Sequence, residues 1–203
     1  ASSAAHVSDV LIGIQNNGKT TVNELSGSIG KAIPTAQAYN VSLEDLGTAY
    51  AVVTRNGVKT RVATTYINGM LNELGKSGSK VSAILKQKTG MSFDELTKKG
   101  YSTRDVLGVL QKYCKDTGTK FTDLWSNTSA GKAALILAGK STKDYNSLLD
   151  QLKNKTDVAK TAAGTMAETT QTKLNKALNS GKVALIQFGD TMRQLAIPFI
   201  NQM

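Results

Sequence analysis

The sequence predicts an all-α fold, a compact bundle of short helices joined by capped corners and followed by a longer C-terminal helical segment. Three observations predict it. First, one short phrase recurs: Asn40-Val41-Ser42-Leu43-Glu44-Asp45-Leu46, Gly90-Met91-Ser92-Phe93-Asp94-Glu95-Leu96 and Gly100-Tyr101-Ser102-Thr103-Arg104-Asp105-Val106. In each copy Gly or Asn can take the left-handed conformation that closes a helix. Ser then caps the next helix, and the acid three residues on is spaced to reach back and complete a capping box. The pairs Val41/Leu46, Met91/Leu96 and Tyr101/Val106 are spaced as hydrophobic staples. A weaker fourth copy, from Gly139 to Tyr145, lacks the first staple residue. Second, only Pro34 and Pro198 interrupt 203 residues, which leaves nearly all of the chain free to be helical. Third, apolar residues recur at spacings of three and four, and no stretch alternates as a strand does.

Taken in order, residues 5–16 form the first expected helix, with Val7, Val10, Leu11 and Ile14 on one face and a turn at Asn16-Asn17-Gly18. A second helix places Val22, Leu25, Ile29, Ile33 and Ala36 on one broad face, kinked or divided by Pro34. The first capped corner opens a helix carrying Leu43, Leu46, Tyr50 and Val53, ended by Asn56-Gly57. Residues 58–74 repeat apolar groups every fourth position (Val58, Val62, Tyr66, Met70, Leu74). Ile67 and Leu71 widen that stripe, which predicts packing on more than one neighbour. A loop between Gly75 and Gly78 leads to a shorter helix with Val81, Ile84 and Leu85. The next two corners start a brief helix at Phe93 and a longer one with Val106, Leu107, Leu110 and Cys114. From Asp116 to Asn127 the periodicity weakens, with Phe121, Leu124 and Trp125 as expected anchors. Residues 130–138 read as a deeply buried helix, and the fourth phrase opens one with Tyr145, Leu148, Leu149 and Leu152.

After residue 153 the character changes. Lys, Thr, Ala and Asn dominate to Lys182, with Val158, Met166, Leu174 and Leu178 widely spaced, as in an exposed or partner-dependent helix. From Val183 to Met203 the chain is apolar again. There Leu185, Phe188, Met192, Leu195 and Phe199 are the candidate partner-contact stripe of an amphipathic helix.

Composition narrows the chemistry. Hydrophobic residues are 40% and aromatics 5%, so the core must be aliphatic. The single Cys114 excludes an intrachain disulfide, and with His6 as the one histidine the usual zinc sets and Ser-His or Cys-His pairs lose their members. No apolar run is long enough to cross a membrane as a helix. The start at Ala1 without Met suggests a processed product or a piece excised from a longer chain. The net charge of +10 leaves two readings, solvated helix faces or a basic module for DNA or another polyanion. Scattered lysines with few interleaved aromatics favour the first.

One motif misleads. Gly13-Ile14-Gln15-Asn16-Asn17-Gly18-Lys19-Thr20 fits the P-loop pattern, in which glycine amides wrap phosphate and Lys and Thr serve phosphates and magnesium. The preceding Val7 to Ile14 is helical in spacing, whereas a P-loop follows a strand of a parallel sheet. His6 reads as a solvent-facing side chain, Cys114 as a buried thiol, and Trp125 as a core anchor. Glu44-Asp45 and Asp94-Glu95 lie in first turns of helices, where the dipole favours negative charge. No catalytic, metal or cofactor-binding residue is assigned, and the expectation is a protein that is not an enzyme.

Residues from about 15 to 150 resemble the core region of phage tail tape measure proteins. The resemblance is carried by SIGKAIPTA, VSLEDLGTAYAVVTRNG, TYINGMLNEL, GYSTRDVLGVLQK and LWSNTSAGKAAL, in that order. It implies a helical structural component of a bacteriophage or prophage tail, made in the host cytoplasm and held in the tail-tube lumen. Such a protein sets tail length during assembly and is released as DNA is ejected. Implied partners are tail tube, tail-tip and tail assembly chaperone proteins and further copies of the full-length protein. Indirect contact with genomic DNA and transient contact with the host membrane are also implied. The expected organisation is a compact core domain over 1–152, then an extended polar helix and apolar terminal helix over 153–203. Longer members sometimes carry peptidoglycan-degrading segments; this sequence offers no candidate for one.

Overall fold

A computed structural model describes residues 4–139 and 142–154, and these all belong to one compact unit. They form ten α-helices: α1 (Ala4–Asn17), α2 (Val22–Ser26), α3 (Ile33–Ala38), α4 (Leu43–Arg55), α5 (Thr60–Gly75), α6 (Lys80–Thr89), α7 (Phe93–Lys98), α8 (Thr103–Thr117), α9 (Thr128–Ala138) and α10 (Thr142–Asn154). Short 3-10 turns stand at Ile29–Lys31 and Phe121–Leu124, and no strand occurs among the described residues. The all-α reading therefore holds there. The contact stripe at Leu185, Phe188, Met192, Leu195 and Phe199 lies outside them.

Helix α4 is the axis of the core. Every residue from Asp45 to Thr54 is buried, because α1, α5, α9 and α10 all pack on it. Small side chains make that crowding feasible. A Cβ on Gly47 would stand 3.0 Å from Val10 Cγ1 and 3.1 Å from Ile14 Cδ1, so α1 seats directly on the α4 backbone. The core is aliphatic apart from a few aromatics, as the composition requires. Tyr50 is among those few, fully buried, and its hydroxyl donates to Thr64 Oγ1 at 2.7 Å.

The expected second helix is three pieces. It breaks at Gly27, continues as the turn at Ile29–Lys31, and restarts as α3 with Pro34 in its first turn. Proline has no N–H for a preceding helix to use but fits a first turn without loss. The stripe on α5 is also corrected. The buried apolar side is Ala63, Ile67, Met70, Leu71 and Leu74, whereas Val62 is 38% exposed and Val58 and Tyr66 are half-buried. A spacing of four advances the stripe by about 40° per step, so it winds off the core face and coincides with it only at Met70 and Leu74. In the weakly patterned stretch, Leu124 and Trp125 are buried and Phe121 packs edge-on against Trp125, as the anchor reading predicts.

Candidate functional site

The corners carry the geometry their sequences predict. Asn40, Gly90 and Gly100 have φ of 54°, 72° and 91°, the left-handed region that turns one helix into the next. In the third corner Ser102 Oγ accepts from Asp105 N at 3.1 Å, and Asp105 Oδ2 accepts from Ser102 N at 2.9 Å, closing the capping box. In the second, Glu95 Oε2 accepts from Ser92 N at 2.7 Å. Two expectations fail at the margins. Tyr101 is 47% exposed rather than buried, and Gly139 has φ of −71°, so the fourth corner is not closed by a left-handed glycine.

The first corner departs most. Ser42 caps α4 by accepting from Asp45 N at 3.1 Å, but the Asp45 carboxylate does not turn back. It is buried, and its Oδ2 accepts from the Thr103 amide at 2.8 Å and the Thr103 hydroxyl at 2.6 Å. Its Oδ1 accepts from the Tyr145 hydroxyl at 2.7 Å. Thr103 is the first residue of α8, so Asp45 satisfies a backbone N–H that no intrahelical carbonyl can reach. Three of the four repeated phrases meet at this carboxylate. Burial raises its pKa against the pull of the Thr103 and Tyr145 hydrogen bonds. Burial, then the adjacent Asp45 charge, pushes the Tyr145 phenol well above its usual range and keeps it a donor.

Beside this junction lies a cleft of about 310 Å³ lined by Asn40, Ser42, Glu44, Tyr101, Ser102 and Lys153 among others. His6 borders it through Glu44: Nε2 lies 2.5 Å from Glu44 Oε1, with the imidazole about three-quarters buried. The solvent-facing reading of His6 is thus corrected, since packing α1 on α4 brings the two together. Burial works to raise the Glu44 pKa, but hydrogen bonds from its own backbone amide, His6 and Ser42 hold it below the usual value.

The sequence reading missed two further clamps of the same design. Glu73, buried on α5, accepts from Ser126 N at 2.9 Å, Ser126 Oγ at 3.0 Å and Asn127 N at 2.6 Å, just ahead of α9. Glu24 accepts from Thr60 Oγ1 at 3.1 Å at the start of α5. Three acids, each distant in sequence, therefore sit at three helix N-termini, where the dipole favours negative charge. The signal for Glu73 was an acid set among Met70, Leu71 and Leu74 on an apolar face.

The chemistry this arrangement supports is structural. The P-loop-like run falls at the end of α1, and a Cβ on Gly13 would stand 2.3 Å from Leu152 Cδ2, so that glycine serves helix packing. Cys114 is buried, and burial raises its pKa, the condition of an inert thiol. Among the described residues no three His, Cys, Asp or Glu side chains gather as a metal site. No helix among them is long and apolar enough to cross a membrane.

Known proteins agree with the resemblance read in the sequence. Over residues 1–134 the chain matches the family described as phage-related minor tail protein. It is 33% identical over 174 residues to a probable tape measure protein of Clostridium phage phiCD119, covering 83% of this chain and 18% of that relative. The chain thus spans less than a fifth of the length of the relative it matches. No solved structure matches.

Proposed function

The chain belongs to the phage-related minor tail protein family, and from that membership we propose that it is a folded structural segment of a tape measure protein. The observation that carries this reading is the alignment with a probable tape measure protein along most of the chain. The helices locked by Asp45, Glu73 and Glu24 support a structural rather than catalytic role. In this reading the parent protein sets tail length in the tube lumen, contacts tube, tip and chaperone proteins, and leaves as DNA is ejected. Residues 1–152 act as its compact domain. Residues 153–203 supply the extended part, with Leu185, Phe188, Met192, Leu195 and Phe199 as its contact stripe.

Duplicating residues 153–182 in the parent gene tests the length role. A helical insert adds about 1.5 Å per residue, so tails should lengthen by about 45 Å in electron micrographs. Intact tails of unchanged length would exclude the role. Changing Phe188 and Leu195 to Asp should abolish self-association in analytical ultracentrifugation while the melting of the 5–150 part stays nearly unchanged. The net charge of +10 favours one competing reading, direct DNA binding. It requires tight duplex binding that falls steeply with salt.

A further inference from the structure

Helix α5 is apolar on two sides, and only one is covered among the described residues. The uncovered side carries Val62, 38% exposed, with half-buried Tyr66 one turn along. Alongside runs a groove of about 450 Å³ between residues 27–31 and the first turns of α5, lined by Gly27, Lys31, Arg61, Val62, Thr65 and Tyr66 among others. Helix α9 extends the same face. A Cβ on Gly69 would stand 3.5 Å from Ala130 N, and Lys132 Nζ lies 5.7 Å from the Tyr66 ring centre. Leu135, 44% exposed, follows Lys132 by three residues on α9, about one helical turn. Of the three exposed large apolar side chains in the described residues, Val62 lines this groove.

The ionisable rim has one sign. Lys31, Arg61 and Lys132 take part in none of the ion pairs formed among the described residues, which join His6 to Glu44, Arg55 to Asp144, Lys98 to Asp94 and Lys112 to Asp116. Glu24, the acid at the start of α5, is engaged by Thr20 and Thr60. Asn68 donates from Nδ2 to the Lys31 carbonyl at 3.0 Å, and its Oδ1 is buried with no hydrogen-bond partner. The face thus offers an apolar floor and three cations that are in no ion pair.

We infer that this face of α5 is a docking surface for an acidic amphipathic helix of another protein. Its apolar side would cover Val62 and Tyr66, and its carboxylates would meet Lys31, Arg61 and Lys132. The apolar floor favours this occupant over a nucleic acid, whose phosphates gain nothing from valine and tyrosine carbons. Charge disfavours a second copy, because a chain of net +10 would bring like charge to a basic rim. The inference holds whether or not the parent protein measures tail length.

The test titrates the full chain with a synthetic helix of about 18 residues, five turns, with Leu on one face and Glu elsewhere. Amide NMR shifts should concentrate at residues 27–31, 61–66 and 132–135. Val62→Asp, and separately Lys31→Glu with Arg61→Glu, should each weaken binding about tenfold or more with melting unchanged, because these side chains line an open groove. Polyglutamate of equal length should bind about tenfold more weakly, since it lacks an apolar face. Absence of binding, shifts elsewhere, or equal binding by polyglutamate would overturn the inference. So would a DNA duplex giving the same shifts at lower concentration, or a dimer that Val62→Asp abolishes.

Discussion

In the corner at 100–106 the acid turns back on its own helix, with Asp105 Oδ2 on the Ser102 amide and the carboxylate exposed to solvent. In the corner at 40–46 the acid at the same position, Asp45, is buried and holds the amide and hydroxyl of Thr103 and the hydroxyl of Tyr145. Both corners have a left-handed first residue and a capping serine. What separates the two acids is surroundings: α8 and α10 close over Asp45, whereas solvent faces Asp105 even though Ser102 and Thr103 beside it are buried. A capping phrase therefore determines that the chain turns, while burial determines whether its acid closes one helix or ties three together.

Asp45→Ala should have the largest effect, lowering stability by about 3 kcal/mol or more in chemical denaturation, because it strands the buried amide and hydroxyl of Thr103 and leaves the Tyr145 hydroxyl only the residue-45 carbonyl at 3.1 Å. A loss under 1 kcal/mol would reduce Asp45 to an ordinary cap. Gly100→Val comes next, at about 2 kcal/mol, since a β-branched residue at φ of 91° is strained even though the space around it is open. Tyr145→Phe should cost about 1.5 kcal/mol, the share of one hydrogen bond to a carboxylate. In a double-mutant cycle it should add little on top of Asp45→Ala, and full additivity would mean the two do not interact. Ser102→Ala should cost about 1 kcal/mol, a local cap with no tertiary consequence.

Glu95→Gln should give the smallest shift, and the more telling measurement there is titration. Carboxyl NMR should find Asp45 titrating above the ordinary carboxylate range, because burial outweighs its hydrogen bonds. Glu95 should titrate below it, held by the Ser92 amide and then the Ser92 hydroxyl. With its folded value raised, Asp45 contributes stability that is full below its unfolded pKa and lost as pH rises through the folded one. Glu95 contributes stability that is present above its unfolded pKa and lost as pH falls through the folded one. Acidification should move the two in opposite directions, and a shared direction would erase the contrast between the corners.

The residues that determined the helices by themselves are those whose signal is local. Ser42, Ser92 and Ser102 with Asn40, Gly90 and Gly100 placed three corners, and the core positions Leu46, Tyr50, Leu110 and Leu148 were legible from spacing alone. Caps and left-handed turns involve neighbours within a few residues, so the chain states them wherever it goes. The partners of Asp45, Glu73 and His6 lie 38 to 100 positions away, and only the packing of α1, α8, α9 and α10 brought them within reach. The face of α5 shows the same division. The sequence announced a helix with more apolar surface than one neighbour could cover, and tertiary structure decided that α9 and the core take Ala63, Ile67 and Met70. Val62 and Tyr66 were left to an open, basic groove, because side-chain period fixes which residues share a face but not which face the rest of the chain will find.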